Sequence, residues 1–395
     1  MDTKTLLEWS AKYHTPNYGA RAPIVLVRGD GVRVWDSEGR EYLDFGAGIA
    51  VTSLGHCHPR VTGAIQEAAA TLLHVSNLYH SAPQIHLAKL LIEHSFADRV
   101  FFSNSGAEAN EAALKLARKY ARERISSDRY EFVSTRNSFH GRTFATVAAT
   151  GQEKYHHGFE PLVPGFKHVA YNDLRAMERA IDNRTAGVII ECVQGEGGVN
   201  IGEEDYLRGL RKLCDQSGAL LIVDEIQTGV ARTGRLWCYE HYGIEPDIMT
   251  LAKALANGVP IGAMLTREEI ASVLVAGTHG STFGGTPFIT SVALATLTTI
   301  LDGKLWERAA RMGRYLMDGL RNLQAPAVKA VRGKGLLIGA ELDRPVGPVV
   351  DACREAGLLV LSAGERVLRL TPPLIVEERD CDRALGIIKT ALGHA

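Results

Sequence analysis

The sequence predicts an α/β fold: a large, mostly parallel sheet covered by helices, followed by a smaller α+β domain. Three observations carry that expectation. Between about Arg99 and Thr266, short apolar or β-branched runs alternate with helical stretches, the pattern of parallel strands joined by crossover helices. From about Leu305 onward, a long amphipathic pattern precedes clustered strands and a closing helical stretch. The length, 395 residues with 46% hydrophobic and 23% charged, suits roughly two to three domains and a sizeable core.

The elements follow in chain order. Runs at Val25 to Val27, Val32 to Trp35 and Glu41 to Leu43 read as short antiparallel strands, able to pack on either domain. The sheet is then built from Val100 to Ser103, Phe132 to Thr135, Val188 to Cys192, Leu220 to Val223, Ile248 to Leu251 and Ile261 to Leu265. The clearest helix follows the first of these, with Ala109, Ala112, Ala113, Leu116, Ala117 and Tyr120 on one face and Lys115, Arg118 and Lys119 facing away. Glu108 and Glu111 sit in its first turn, where the helix dipole favours acids. A second helix runs from near Leu305 through Ala309, Met312, Leu316, Leu320 and Leu323 until Pro326 stops it. Leu336 to Leu342, Leu358 to Leu361 and Val367 to Leu370 read as strands, and Asp380 to Leu392 as the last helix.

Composition excludes several classes. Lys plus Arg number 44 against 45 Asp plus Glu, a net charge of -1, so no summed field draws the chain to nucleic acid or to a membrane surface. An anionic ligand must be held by local groups. No apolar run approaches a membrane span, and Met1 to Ser10 lacks the apolar centre of a secretion signal. The six cysteines form no C-x-x-C pair, so a cytoplasmic protein with free thiols is expected. His56-Cys57-His58 has no further ligand at metal-site spacing, and the loop reading is preferred to a metal. Signatures of triphosphate, dinucleotide, zinc-protease and α/β-hydrolase sites are missing.

Three segments carry more. In Ser103-Asn104-Ser105-Gly106-Ala107-Glu108, a strand stops at a small polar turn that starts the clearest helix. Free N–H groups of Gly106 and Ala107 would suit a phosphate, although an ordinary turn with Ser105 as N-cap has the same composition. At Leu220 to Asp224, an apolar strand ends in Asp224 and Glu225, at the sheet edge where α/β proteins bind ligands. A solvated strand end is the plainer alternative, and it suits Glu225 better than Asp224. At Ile248 to Lys253, a strand ends in a single lysine among apolar and small neighbours. Such a lysine is ordinarily a surface cation, but partly desolvated it becomes a Schiff-base nucleophile. A phosphate cradle, a strand-end Asp and a strand-end Lys together suit pyridoxal 5'-phosphate, with Lys on the aldehyde carbon and Asp on the pyridine nitrogen. Residue types and spacing allow that combination without requiring it.

Further words in this order resemble the class III aminotransferases, the ornithine and acetylornithine type of the pyridoxal-phosphate fold type I. They are Leu43-Asp44-Phe45, Gly55-His56-Cys57-His58-Pro59, Asn104 to Asn110, Phe139-His140-Gly141-Arg142-Thr143, Glu191 with Gln194 to Gly198, Asp224 to Gly229, Lys253, Gly280 to Gly285, and Arg369 before Pro372-Pro373-Leu374. The resemblance implies a large, mostly parallel seven-stranded sheet domain over 51–290, a small α+β domain over 291–395, and an N-terminal segment 1–50 packing with the small domain. It implies that Lys253 forms the Schiff base and shuttles the proton, that Asp224 holds the pyridine nitrogen, and that Gln227 lies on the ring hydroxyl side. Phe139 and Ile226 would face the two sides of the ring. Ser105, Gly106 and Ala107 would hold the phosphate with Thr282 of a partner subunit, and Glu191 would belong to the same cofactor site. For substrate, it implies Arg142 as carboxylate clamp, Glu196 and Arg369 as the pair that distinguishes two substrates, and Ser281 and Ile49 as further contacts. A homodimer with shared active sites acting on small molecules follows.

Within that family, Ile49 stands where ornithine aminotransferases resemble one another in carrying a tyrosine. The run Asn257 to Met264 and the run Arg366 to Leu370 are most similar to the acetylornithine type. The implied reaction moves the ω-amino group of N2-acetylornithine to 2-oxoglutarate, as in arginine biosynthesis. A 4-aminobutyrate or succinyl-diaminopimelate aminotransferase is the nearest alternative, and a glutamate-semialdehyde aminomutase the alternative of another class. A cofactor-free scaffold is disfavoured by Lys253. Thr286 and Cys192 depart from the usual Asn and Pro of the family.

Overall fold

In the computed structural model, residues 2–19 and 21–394 are described, the side chain of His394 excepted. A seven-stranded sheet organises the chain. Its strands, in chain order, are β1 (Arg99–Ser103), β2 (Glu131–Thr135), β3 (Phe166–Val169), β4 (Thr185–Ile190), β5 (Leu220–Asp224), β6 (Ile248–Leu251) and β7 (Gly262–Thr266). In space they run β1-β7-β6-β5-β4-β2-β3. The pairs β6-β5, β5-β4, β4-β2 and β2-β3 are parallel, whereas β7 is antiparallel to both β6 and β1. Every strand but β7 therefore points the same way, and the chain leaves them along one edge. The sheet is mostly parallel, as the alternation predicts. Two details differ from the sequence reading: β7 is reversed, and β3 was not anticipated.

Strands β4, β5 and β6 have every residue buried, which is why they read as unbroken apolar runs. The helix after β1, here α1 (Gly106–Tyr120), buries Ala109, Asn110, Ala112, Ala113, Leu114, Leu116 and Ala117. Ser105 caps it, its hydroxyl accepting from the Glu108 N–H at 3.2 Å. Fully burying a leucine such as Leu116 is worth about 1.5–3 kcal/mol. The α1 face laid on the sheet is thus a main anchor of this layer.

A second, antiparallel sheet joins Val328–Lys334, Leu337–Leu342, Val367–Leu370 and Leu361–Ala363. The helices Leu305–Asn322 and Glu378–His394 accompany it. The opening strands Leu26–Asp30, Arg33–Asp36 and Glu41–Asp44 form a third sheet with Leu358–Leu359, which lies parallel to Glu41–Asp44. One cluster of buried apolar side chains runs from Val32 and Leu43 through Val223 to Leu368 and Leu392, so no apolar gap separates these layers. No single helix among the described residues is long and apolar enough to cross a membrane.

Candidate active site

A cavity of about 400 Å³ opens at the edge where the parallel strands end. Each wall comes from the chain just beyond a strand: Asn104 to Ala107 after β1, Phe139 to Arg142 after β2, Glu191 after β4, Asp224 with Ile226 and Gln227 at β5, and Ala252 with Lys253 after β6. The approach to β7, Gly258 to Ile261, closes the same space. Because β7 is reversed, its start meets the ends of the others.

Asp224 ends β5 almost fully buried. Its Oδ2 accepts from His140 Nδ1 at 2.8 Å and from Asn110 Nδ2 at 2.8 Å, and its Oδ1 accepts from the Ile226 N–H at 3.0 Å. Asn110 Oδ1 in turn accepts from the Thr250 hydroxyl at 2.7 Å. The carboxylate is therefore held in one orientation, and His140 must carry its proton on Nδ1 to donate. Neither His140 nor Asn110 received a role from sequence. Asn110 had a legible signal, a lone amide on the inward face of a helix otherwise lined with Ala and Leu.

Lys253 follows β6 with φ 44°, in the left-handed region that side chains avoid. Burial pushes its ammonium below the usual lysine range; the Glu196 carboxylate pulls the other way, and Arg369 adds to the lowering. Glu191 moves oppositely: burial first, then the Asp224 carboxylate, raises its carboxyl well above the usual range. The Phe139 N–H, donating to Glu191 Oε2 at 3.0 Å, only partly offsets this.

At the start of α1, the N–H groups of Gly106 and Ala107 find no acceptor among the described residues. A Cβ on Gly106 would stand 2.8 Å from the Ile226 side chain, so glycine keeps this cradle open. Two unpaired donors at the positive end of a fifteen-residue helix suit a phosphate group.

Arg142 is exposed at the rim, with no ion pair among the described residues. Arg369 is buried instead, its NH1 donating to Glu196 Oε1 at 2.6 Å, to the Gly195 carbonyl at 3.0 Å and to Gln227 Oε1 at 3.1 Å. Burial pulls the Glu196 carboxyl up, but the Arg369 charge and hydrogen bond outweigh it and hold it below the ordinary range. Gln227 Nε2 donates to Glu196 at 3.3 Å, which links this pair to the cavity wall.

Of the site residues expected from sequence, Ser105, Gly106, Ala107, Phe139, Arg142, Glu191, Asp224, Ile226, Gln227 and Lys253 line this cavity. Glu196 and Arg369 adjoin it through Gln227. Ser281 stands behind Asn104, whose amide donates to its hydroxyl at 3.0 Å. Thr282 and Ile49 do not line the cavity: both are exposed, and Ile49 lies in a strained turn in which Ala47, Gly48, Ile49 and Ala50 all have positive φ. His56 Nε2 pairs with Asp44 Oδ2 at 2.8 Å, and no metal-holding group occurs among the described residues.

A family profile described as aminotransferase class-III matches residues 15–392. The chain belongs to the class-III aminotransferases. This aminotransferase is 49% identical to the acetylornithine aminotransferase of Caldanaerobacter subterraneus subsp. tengcongensis, over 98% of this chain and 99% of that protein. It is 48% identical to the acetylornithine aminotransferase of Methanocaldococcus jannaschii, over 98% of each. Among solved structures, the ornithine aminotransferase of Toxoplasma gondii superposes with a TM-score of 0.96 at 37% identity, covering 100% of this chain and 96% of that one. The acetylornithine aminotransferase of Elizabethkingia anophelis superposes with 0.90 at 32% identity, covering 100% of both.

Proposed function

We propose that the cavity binds pyridoxal 5'-phosphate and that the enzyme transfers the ω-amino group of N2-acetylornithine to 2-oxoglutarate, giving N-acetylglutamate 5-semialdehyde and glutamate. One observation carries the cofactor reading: a phosphate cradle, an oriented carboxylate and a desolvated lysine surround a single cavity. The cofactor, when bound, supplies a ring that stores the electron pair released at the amine-bearing carbon and carries the nitrogen between substrates.

The chain's own groups do the rest. Gly106 and Ala107 donate to the phosphate, with Ser105 beside them. Asp224, fixed by His140 and Asn110, keeps a proton on the ring nitrogen. Phe139 and Ile226 would hold the ring between them, with Gln227 on its hydroxyl side and Glu191 in the same cofactor site. Lys253 Nζ, disfavoured as an ammonium by burial, anchors the cofactor and then removes the proton from the amine-bearing carbon. Arg142 takes the donor's carboxylate; Arg369 is freed from Glu196 when glutamate brings a second one. Ser281, behind Asn104, and Ile49, which lies outside the cavity of its own chain, are assigned to the substrate's outer surroundings.

Thr282 is assigned to the phosphate of a second copy. The loop that carries it also carries exposed Phe283 and is tied, through His74 and Asn77, to the segment that carries exposed Leu73, Leu78 and Tyr79. That patch supports a homodimer with shared sites. Free cysteines, five of them buried, support a cytoplasmic setting. Segment 1–50 is assigned to the small domain of 291–395, and 51–290 to the cofactor.

The names of the relatives, at 48–49% identity over nearly the whole chain, support the acetylornithine type. A panel of N2-acetylornithine, ornithine, 4-aminobutyrate and succinyl-diaminopimelate with 2-oxoglutarate tests it. N2-acetylornithine is expected to give the highest kcat/KM, and any other donor above it overturns the substrate.

A further inference from the structure

The two arginines of the site are held in opposite ways. Arg369 is buried and tied to a carboxylate, whereas Arg142 has no carboxylate, carbonyl or hydroxyl partner among the described residues. Its contacts are aromatic. The Arg142 guanidinium carbon lies 3.9 Å from the centre of the Tyr155 ring and 5.4 Å from that of Phe139. Tyr155 does not line the cavity, and it meets Phe139 edge-on, with centroids 5.8 Å apart and planes at 80°.

The segment that carries Tyr155 is firmly built. Gly151 bridges to Arg136, just beyond β2, with the Asn137 N–H donating to the Gly151 carbonyl at 2.8 Å. A Cβ on Gly151 would fall 2.1 Å from the Thr135 carbonyl, so only glycine permits that approach. Gln152 Nε2 reaches the Ser138 carbonyl at 2.9 Å, the Tyr155 N–H donates to the Gln152 carbonyl at 3.0 Å, and His156 Nε2 meets the Thr150 carbonyl at 2.7 Å. The ring is therefore pinned to the same strand end that presents Phe139 and Arg142.

We propose that Tyr155 is a positioning residue for substrate carboxylates, holding Arg142 through the face of its ring so that the guanidinium is oriented toward the cavity rim yet left unpaired. At 3.9 Å from the ring centre the guanidinium has the separation of a stacked cation, and stacking uses its flat face and leaves its in-plane N–H groups free. A carboxylate partner would fix Arg142 equally well, but it would compete with the substrate for those donors. An aromatic partner orients without competing. It also lowers the side-chain entropy that an exposed arginine would lose on capturing its ligand. This inference rests on Arg142 as the carboxylate clamp.

The test uses the full-length, cofactor-loaded enzyme with Tyr155→Phe, Tyr155→Leu and Arg142→Ala. Half-reaction rates are followed by absorbance with N2-acetylornithine and with butylamine, an amine donor that has no carboxylate, and binding of glutarate is measured by calorimetry. Tyr155→Leu is expected to weaken N2-acetylornithine and glutarate about five-fold, the loss of one such contact, with kcat nearly unchanged and butylamine unaffected. Tyr155→Phe, which keeps the ring face, is expected to restore wild-type values. Tyr155→Gln takes the place of the leucine variant if that protein does not fold. Equal losses with butylamine overturn the proposal, because Tyr155 would then act only as a support for Phe139. No loss of glutarate affinity in Tyr155→Leu also overturns it, provided Arg142→Ala weakens glutarate. If Arg142→Ala leaves glutarate binding intact, the clamp itself fails and the inference with it.

Discussion

Lys253 reaches the cavity from a backbone at φ 44°, a conformation that costs an ordinary residue about 1–2 kcal/mol. Strain of that kind persists only where the surroundings enforce it, here between buried β6 and the short helix Lys253–Ala256. Borohydride reduction of the loaded enzyme should fix the cofactor on Lys253, and peptide mass mapping that finds it on another lysine would sink the assignment. Lys253→Ala should retain the cofactor without turnover. At the other end of the site, Arg369→Ala should slow the glutamate half-reaction far more than the N2-acetylornithine one. Glu196→Ala leaves a buried guanidinium unpaired and permanently available, and so should favour α-amino acids. Single-turnover rates separate this from a merely structural ion pair, which would slow both halves alike. The placement of Lys253 and Asp224 at the cavity was legible because a strand end is visible in sequence as an apolar run that stops at charged residues. His140 and Tyr155 were not, since each acts on a residue remote in sequence or through a ring face that no spacing encodes; Asn110 stood out as a lone amide on an apolar helix face, but nothing in the spacing pointed it at Asp224.

An element's interior was easier to read than its direction or its edge. Helix α1 announced itself by its apolar face, its acidic first turn and its cap. The cap is testable: Ser105 Oγ accepts from the Glu108 N–H, so Ser105→Ala should cost the cofactor-free protein about 1 kcal/mol of stability, read from urea unfolding. An unchanged midpoint would show that Glu108, which accepts from the Asn104 N–H at 2.8 Å, secures this end alone. Strand β7 was found but not its reversal, because the alternation of side chains is the same in either direction. Strand β3 escaped notice for a different reason. It is the sheet's edge strand, and Phe166-Lys167-His168-Val169 is only partly buried throughout, so it carries neither an apolar run nor a clean alternation. The helix Pro287–Asp302 was also unread: it is apolar nearly all round, packed between the helices Pro59–Thr71 and Ala82–Glu93, and has no polar face to set a period.

On the scale of the molecule, one buried group should make stability depend on pH. Glu225 is almost fully buried beside Asp224, accepts from the Tyr239 N–H at 2.9 Å and from the Thr228 hydroxyl, and is pushed up to about 7 by burial. A carboxyl whose folded pKa is raised contributes its stability fully below its unfolded value and loses it as pH rises through about 7. Glu225→Gln, which cannot ionise, should therefore gain on the wild type between pH 5 and pH 8 in urea unfolding, and a constant difference would refute the shift. A feature that sequence could not disclose is the exposure of Leu73, Leu78, Tyr79 and Phe283, by 57%, 81%, 71% and 60%, on two segments that the fold ties together. Leu78 and Tyr79 are distant in sequence from Phe283, but their segment is tied to its loop: Asn77 Nδ2 donates to the carbonyls of Ser281 at 3.2 Å and Gly284 at 3.0 Å, and His74 packs on the Phe283 ring with centroids 5.3 Å apart. Exposed apolar side chains on two segments tied together this way suit an association surface, and exposed Thr282 adjoins Phe283. If that surface joins two copies and lends Thr282 to the neighbour's phosphate, charge placed on it should separate the copies and disable both sites together. Leu78→Glu with Tyr79→Glu is expected to give a folded monomer by sedimentation and circular dichroism, with weakened cofactor retention and activity reduced at least ten-fold. A monomer of full activity would mean that each chain completes its own site and that the patch serves another purpose.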